Sequence, residues 1–168
     1  MTRDPLADVQ PLIHRVYAYV AYRIGDGPDA EDVTSETFAR ALRYRSSFDA
    51  GRGEPAAWLI GIAQRCLADA SLRSEATAGD LPEAAGPGPE DATVLRLELH
   101  DAVSRLDERD RELVALRYGA DLTARQIAAL LDLKTNAVEV ALHRALRRLR
   151  LYLETAEPEQ AASAAIAL

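Results

Sequence analysis

Residues 122–150 read LTARQIAALLDLKTNAVEVALHRALRRLR, and the fold of the chain is decided there. Thr123-Ala124-Arg125-Gln126 is a capping box: the Thr hydroxyl can accept from the amide three residues on, and the Gln side chain can reach back to the Thr amide. It starts a helix whose apolar residues are Ile127, Ala128, Leu130 and Leu131. After a short break at Asp132-Leu133-Lys134-Thr135, a second helix carries the core stripe Val138, Leu142, Ala145 and Leu149, spaced as one helical face requires. At about 100° per residue that stripe turns Asn136, Val140, His143, Arg144 and Arg147 outward. His143, Arg144, Arg147, Arg148 and Arg150 together form the only strong basic cluster in the sequence. Two short helices joined by a tight turn, the second one basic, are either a helix-turn-helix whose second helix enters the major groove or a plain helical hairpin.

Upstream of this unit the apolar spacing stays helical. Leu6, Val9, Ile13, Val16, Val20 and Ile24 mark one helix, and Ala30, Val33, Thr37, Phe38, Ala41 and Leu42 a second. A third opens at Pro55, a residue suited to a first helical turn, and turns Trp58, Leu59, Ile62, Ala63 and Cys66 inward. Residues 74–93, SEATAGDLPEAAGPGPEDAT, hold Pro82, Pro87, Pro89 and three Gly with almost no large apolar side chain, which predicts a flexible linker. Val94 to Leu106 is a further helix, and Asp107 opens another that closes near Tyr118 and Gly119. No segment alternates as a strand would. The expected fold is all-α: a domain at 1–75, an acidic Pro/Gly linker at 76–93, a domain at 94–152 and a C-terminal tail at 153–168. That tail is either disordered or a helix capping the second domain.

Composition agrees. A chain of 168 residues holds one domain or two small ones, and with 48% apolar but 5% aromatic residues its core is aliphatic and Ala-rich, which favours helices. Cys66 is the single cysteine, which excludes an intramolecular disulfide and suits a reducing compartment. The start, MTRDPLADVQ, has no apolar signal core, and no run reaches the roughly 18 apolar residues of a spanning helix. A soluble, cytoplasmic chain without membrane insertion is expected. The net charge of −7 is uneven: 76–95 carry four acids and no base, 151–168 three acids and no base, and 96–150 eleven bases against nine acids.

The stretch LDERDRELVALRYGADLTARQIAALLDLKTNAVEVALHRALRRLR at 106–150 resembles domain four of a bacterial RNA polymerase sigma factor. DAEDVTSETFARALRY at 29–44 and EPAAWLIGIAQRCLADASLR at 54–73 resemble its domain two. Two helical domains with nothing but a linker between them resemble the extracytoplasmic-function (ECF) type of the sigma-70 family. The resemblance implies three surfaces and no cofactor. Asp32, Ser35, Glu36, Arg40 and Arg43, opposite the apolar stripe of the second helix, would dock on the clamp helices of the polymerase's largest subunit, where acid followed by arginine can set register.

The third helix and the loop SSFDAGRG at 46–53 would hold the minus-ten promoter element, with Arg52 for phosphate and Gln64 and Arg65 for base edges or phosphate. Phe48 is a stacking surface for an extruded base or, equally, a core residue. Asn136, Val140, His143, Arg144 and Arg147 would read the minus-thirty-five element, with Arg148 and Arg150 at flanking phosphates. The sequence departs from the family where Gln64-Arg65 replaces a frequent Arg-Asn, where Glu139-Val140-Ala141 replaces a Ser flanked by Lys and Arg, and where Asp132 replaces a Gly in the turn. Asp tolerates the left-handed conformation such a turn needs.

Core polymerase and promoter DNA are the partners implied, and an anti-sigma factor is a further one the resemblance allows. Two rivals stand beside a sigma subunit. A stand-alone helix-turn-helix regulator accounts for 94–152 but is opposed by the net charge of −7. A sigma-like protein that binds polymerase or a regulator without reading promoters is suggested by Glu139 and Ala141. An enzyme or metal site is not expected, since His14, His100 and His143 have no ligand partners nearby in sequence and Glu31-Asp32 has no accompanying nucleophile or phosphate loop.

Overall fold

The computed structural model describes residues 4–76 and 90–166, and the side chains of 4–76 and 95–155. Among the described residues every regular element is helical. In chain order these are α1 Val9–Ile24, α2 Pro28–Arg43, α3 Pro55–Ala76, α4 Glu90–Ser104, α5 Glu108–Val114, α6 Ala124–Leu131 and α7 Thr135–Ile166. A 3₁₀ turn at Arg45–Ser47 follows α2, and α5 runs directly into a π-turn at Ala115–Gly119. Of the linker expected at 76–93, residues 77–89 lie outside the described residues, Ala76 still belongs to α3, and 90–93 open α4. The final helix passes through the expected boundary at 152 and continues to Ile166.

Local chemistry sets the helix ends. Pro28 starts α2 behind Gly27 at φ +131°, while Asp29 and Glu31 near its first turn and Arg40 and Arg43 near its last complement the helix dipole. The Asp107 carboxylate accepts the Asp110 amide at 2.8 Å and caps α5. The capping box forms as the sequence predicts: the Gln126 amide donates to Thr123 Oγ1 at 3.2 Å and the Thr123 amide to Gln126 Oε1 at 2.8 Å. Helix α6 stops at Asp132, whose φ of +53° lets the Leu133 amide donate to the Ala128 carbonyl at 2.8 Å.

Two apolar clusters hold the chain. The smaller joins Ala102, Val103, Leu106, Val114, Ala145 and Leu149 of α4, α5, α7 and the α4–α5 turn. In the larger, Val16, Tyr19, Val20, Leu59, Ile60 and Cys66 from the first domain and Leu113, Leu116, Leu122, Ile127 and Val138 from the second share a single core. Full burial of each aliphatic side chain there contributes roughly 1.5–3 kcal/mol, so the domain contact is part of the stability of both.

The stripe expected on α7 is buried at all four positions, Val138, Leu142, Ala145 and Leu149. On α1 the structure corrects the expected face: Leu12, Val16, Tyr19 and Val20 are buried, whereas Val9, Ile13 and Ile24 are exposed. The reason is that α1 packs against α2 and α3 on one side and against the π-turn of the second domain on the other. Leu42 of the α2 stripe is likewise exposed. The buried hydroxyls of Thr34 and Thr37 donate to the Ala30 and Val33 carbonyls, 2.7 Å each, so α2 packs its polar core positions without an unmet group.

Candidate nucleic-acid interface

The outer face of α7 has the composition expected of it. Asn136, Glu139, Val140, His143, Arg144, Arg147 and Arg150 are all exposed, and none of their neighbours on the core stripe is. Beside it runs a shallow groove against the start of α5, where Lys134, Asn136, Val140 and Arg144 face Asp107 and Arg109. Arg148 behaves differently from the other cations. It pairs with buried Asp110 and lies 3.5 Å from Asp107, and the Asp110 hydrogen bond raises the guanidinium pKa. Arg148 therefore fastens α7 to the N-terminal turn of α5 and satisfies a buried carboxylate, a tie the sequence did not suggest.

The surface around α3 departs further. Phe48 is buried with its ring edge-to-face on Trp58, centroids 5.5 Å apart, so of its two readings the structure takes the core residue. Arg52 stays out in solvent near Asp49, at 3.6 Å, and Arg65 is exposed. The sequence places Gln64 beside it on the open face. It is instead half-buried and donates from Nε2 to Glu112 Oε1 of α5 at 2.8 Å. The wheel of α3 correctly points Gln64 away from the first domain's core, but the second domain covers that direction.

On α2, Asp32, Ser35 and Arg43 are exposed while Glu36 and Arg40 are half-buried. Arg40 donates from Nε to Glu36 and from Nη1 to Asp69 of α3, both at 2.7 Å. The Arg40 guanidinium holds the Glu36 carboxyl below the usual carboxylate value, and Glu36 and Asp69 in turn raise Arg40. Arg40 thus ties α2 to α3, which leaves Asp32, Ser35 and Arg43 as the solvent-facing part of the expected docking surface.

Sequence reasoning did not find Glu112. Its carboxylate collects the Tyr19 hydroxyl at 2.9 and 3.1 Å, the Gln64 amide and the Arg23 guanidinium, three donors from the other domain. Burial, and after it the Glu112 charge, push the Tyr19 phenol far above its ordinary pKa, so the hydroxyl remains a donor. Partners 48 to 93 positions apart leave no local periodicity to detect.

Comparison with known proteins agrees with this geometry. The family models described as Sigma-70 region 2 and Sigma-70, region 4 match residues 9–77 and 96–149. The ECF RNA polymerase sigma factor BldN of Streptomyces coelicolor is 36% identical over 143 residues, covering 80% of this chain and 54% of its own, so the chain spans about half of that relative. The ECF RNA polymerase sigma factor SigD of Mycobacterium tuberculosis is 35% identical over 170 aligned positions, 88% of this chain and 74% of its own. In fold, the chain is similar to the sigma factor RpoE of Bartonella quintana, solved in complex with the anti-sigma factor NepR. The TM-score is 0.71 at 20% identity, over 88% of this chain and 94% of that one. With both family regions matched in order, the second containing the helix-turn-helix, and relatives of this identity along most of the length, the chain belongs to the sigma-70 family of RNA polymerase sigma factors, in its ECF group.

Proposed function

We propose that the chain binds core RNA polymerase, directs it to a subset of promoters and helps open them, without catalytic chemistry of its own. Asp32, Ser35 and Arg43 dock the chain on polymerase, Arg52 and Arg65 with Gln64 meet the minus-ten element, and α7 lies in the major groove upstream. The observation that carries this reading is the outer face of α7, where Asn136, Val140, His143, Arg144 and Arg147 stand exposed on a helix presented by a capped α6 and a left-handed turn at Asp132. Val140 suits a thymine methyl, and Arg144 and Asn136 suit base edges or phosphate.

The net charge of −7 fits a subunit that polymerase delivers to DNA better than one that finds duplex DNA alone. Its place is the cytoplasm, where promoters are. Among the described residues no helix is long and apolar enough to cross a membrane. An inhibitory protein of the kind bound to the Bartonella factor is the third partner of this reading.

Exposed Glu139, which places an anion where backbone phosphates would pass, favours a second reading in which the chain holds polymerase without reading promoters. Transcription from a random promoter library by core polymerase, with and without the chain, separates them. A sigma subunit enriches promoters sharing two elements. A chain that binds core yet enriches none is an interaction protein, and one that shifts duplex DNA without polymerase is a stand-alone regulator.

A further inference from the structure

The outer face of α7 carries one anion among its cations. Glu139 is exposed, and the residues three and four positions away, Thr135, Asn136, Leu142 and His143, include no Lys or Arg to neutralise it from the same helix. Among the described residues the ion pairs of α7 run through Arg148 alone. At about 100° per residue Glu139 lies within roughly 60° of Asn136 and His143 around the helix axis. It is the fifth residue of α7, in the N-terminal part that meets base edges in a helix-turn-helix. The cations stand elsewhere: Lys134 and Arg144 border the groove against α5, with Arg109 across it, and Glu139 does not line that groove. Attraction to the DNA backbone and the carboxylate of Glu139 therefore occupy different edges of one face.

A carboxylate only accepts hydrogen bonds. When α7 lies in the major groove, Glu139 loses water and has to find a donor, because a desolvated charge without one is costly. The floor of the groove offers two kinds of donor, the amino groups of cytosine and adenine; guanine O6 and N7, thymine O4 and adenine N7 are acceptors that repel an anion. Adenine sets N7 beside its amino group, whereas cytosine has no acceptor of its own on that edge. We propose that Glu139 determines promoter specificity: its carboxylate accepts from the N4 amino group of a cytosine in the upstream element and disfavours guanine at that position. The proposal rests on reading α7 as the helix that enters the groove, and deepens it by assigning a base to a residue outside the set Asn136, Val140, His143, Arg144 and Arg147. The anion lowers affinity for most sequences and restores it where the amino group is present, so it acts on the difference between promoters more than on the strength of binding. The cytosine neighbours the thymine whose methyl suits Val140, the next residue along the helix.

The test uses holoenzyme reconstituted from core polymerase and the full chain, as wild type, Glu139→Ala or Glu139→Gln. The position is exposed, so neither change disturbs the core. Each holoenzyme selects bound duplexes from a random promoter library at low and at high salt, and base frequencies are read at every upstream position. Wild type is expected to prefer cytosine over guanine roughly tenfold at one position. Glu139→Ala should accept all four bases there and keep its preferences elsewhere, and Glu139→Gln should move the same position towards adenine, whose N6 and N7 fit an amide. The preference should survive at high salt, because a hydrogen bond to a base releases no phosphate counterions. The proposal is overturned if the variants gain affinity at all upstream sequences alike, with a gain that shrinks as salt rises and no position changing its base, since the carboxylate then only repels the backbone. Variants indistinguishable from wild type overturn it as well. A shared upstream element without the cytosine defeats the role of Glu139 alone, whereas a wild type that binds core and selects no shared upstream element defeats the promoter reading and this proposal with it.

Discussion

Helices α3 and α7 follow the same rule in sequence, an apolar stripe pointing inward and polar residues opposite, and the molecule treats them differently. The stripe on α7 is buried at every position and its opposite face is open to solvent. On α3 the stripe is buried at Leu59, Ile62, Ala63 and Cys66 with Trp58 half-buried, yet Gln64 on the far side is covered by α5 and bonded to Glu112. A helical wheel reports which side chains leave their own domain's core. It does not report whether a second domain waits on the other side. The outer face of α7 is therefore open as it stands, while Gln64 on α3 is coupled to the position of the second domain.

The largest effect should come from the core that joins these regions. Leu116→Ala, at a fully buried position of the second domain, is expected to cost about 2–5 kcal/mol, which lowers Tm by roughly 2–4 °C per kcal/mol in a chain of this size. Trp58 is the only tryptophan and lies in the first domain. Its fluorescence transition should shift together with the far-ultraviolet signal; an unshifted Trp58 transition would show that the domains melt separately.

Next in size is the docking face. Asp32→Lys with Arg43→Glu inverts two exposed charges while leaving the Arg40 ties to Glu36 and Asp69 in place. Core polymerase affinity should fall by about 2 kcal/mol, some thirtyfold, and Tm should stay within the scatter of surface substitutions. Wild-type affinity in this variant would move the docking surface off α2.

On α7, Arg144→Ala with Arg147→Ala should weaken holoenzyme binding to promoter and make the salt dependence shallower by about 0.9 for each phosphate left without its cation. An unchanged slope and affinity would favour the interaction-protein reading. The smallest net change is expected at Gln64. Arg65→Ala should reduce discrimination within the minus-ten element by about 1–3 kcal/mol if it makes a bidentate base contact. Gln64→Ala removes a side chain already held by Glu112, so its effect on open-complex formation should be the milder of the pair. Permanganate reactivity of promoter thymines measures both, and a Gln64→Ala defect deeper than that of Arg65→Ala would count against the coupling.

What was legible in the sequence was local. The capping box at Thr123 and Gln126, the left-handed Asp132 and the Val138 to Leu149 stripe each depend on residues within a turn or two of one another, and each forms as its sequence predicts. What was not legible required distant partners. Val9, Ile13 and Ile24 have helical spacing, but α1 is gripped from two sides and rotates to bury Leu12 and Tyr19 instead. Arg148 has the sequence context of one more phosphate cation, but Asp110, on another helix, claims it. Phe48 has two readings, and only the edge of Trp58 chooses between them.

The shared core also bears on how long a molecule survives in a cell. Tyr19 and Leu116 belong to one apolar cluster assembled from both domains, so separating the domains bares hydrophobic surface on each. Chaperones and proteases act on such transiently exposed surface, and modest losses of stability change protein abundance several-fold. The packed chain hides that surface, whereas a chain whose domains have parted does not. Turnover would then fall hardest on molecules whose domains have parted, so a substitution that weakens the shared core would lower the amount of this protein in a cell.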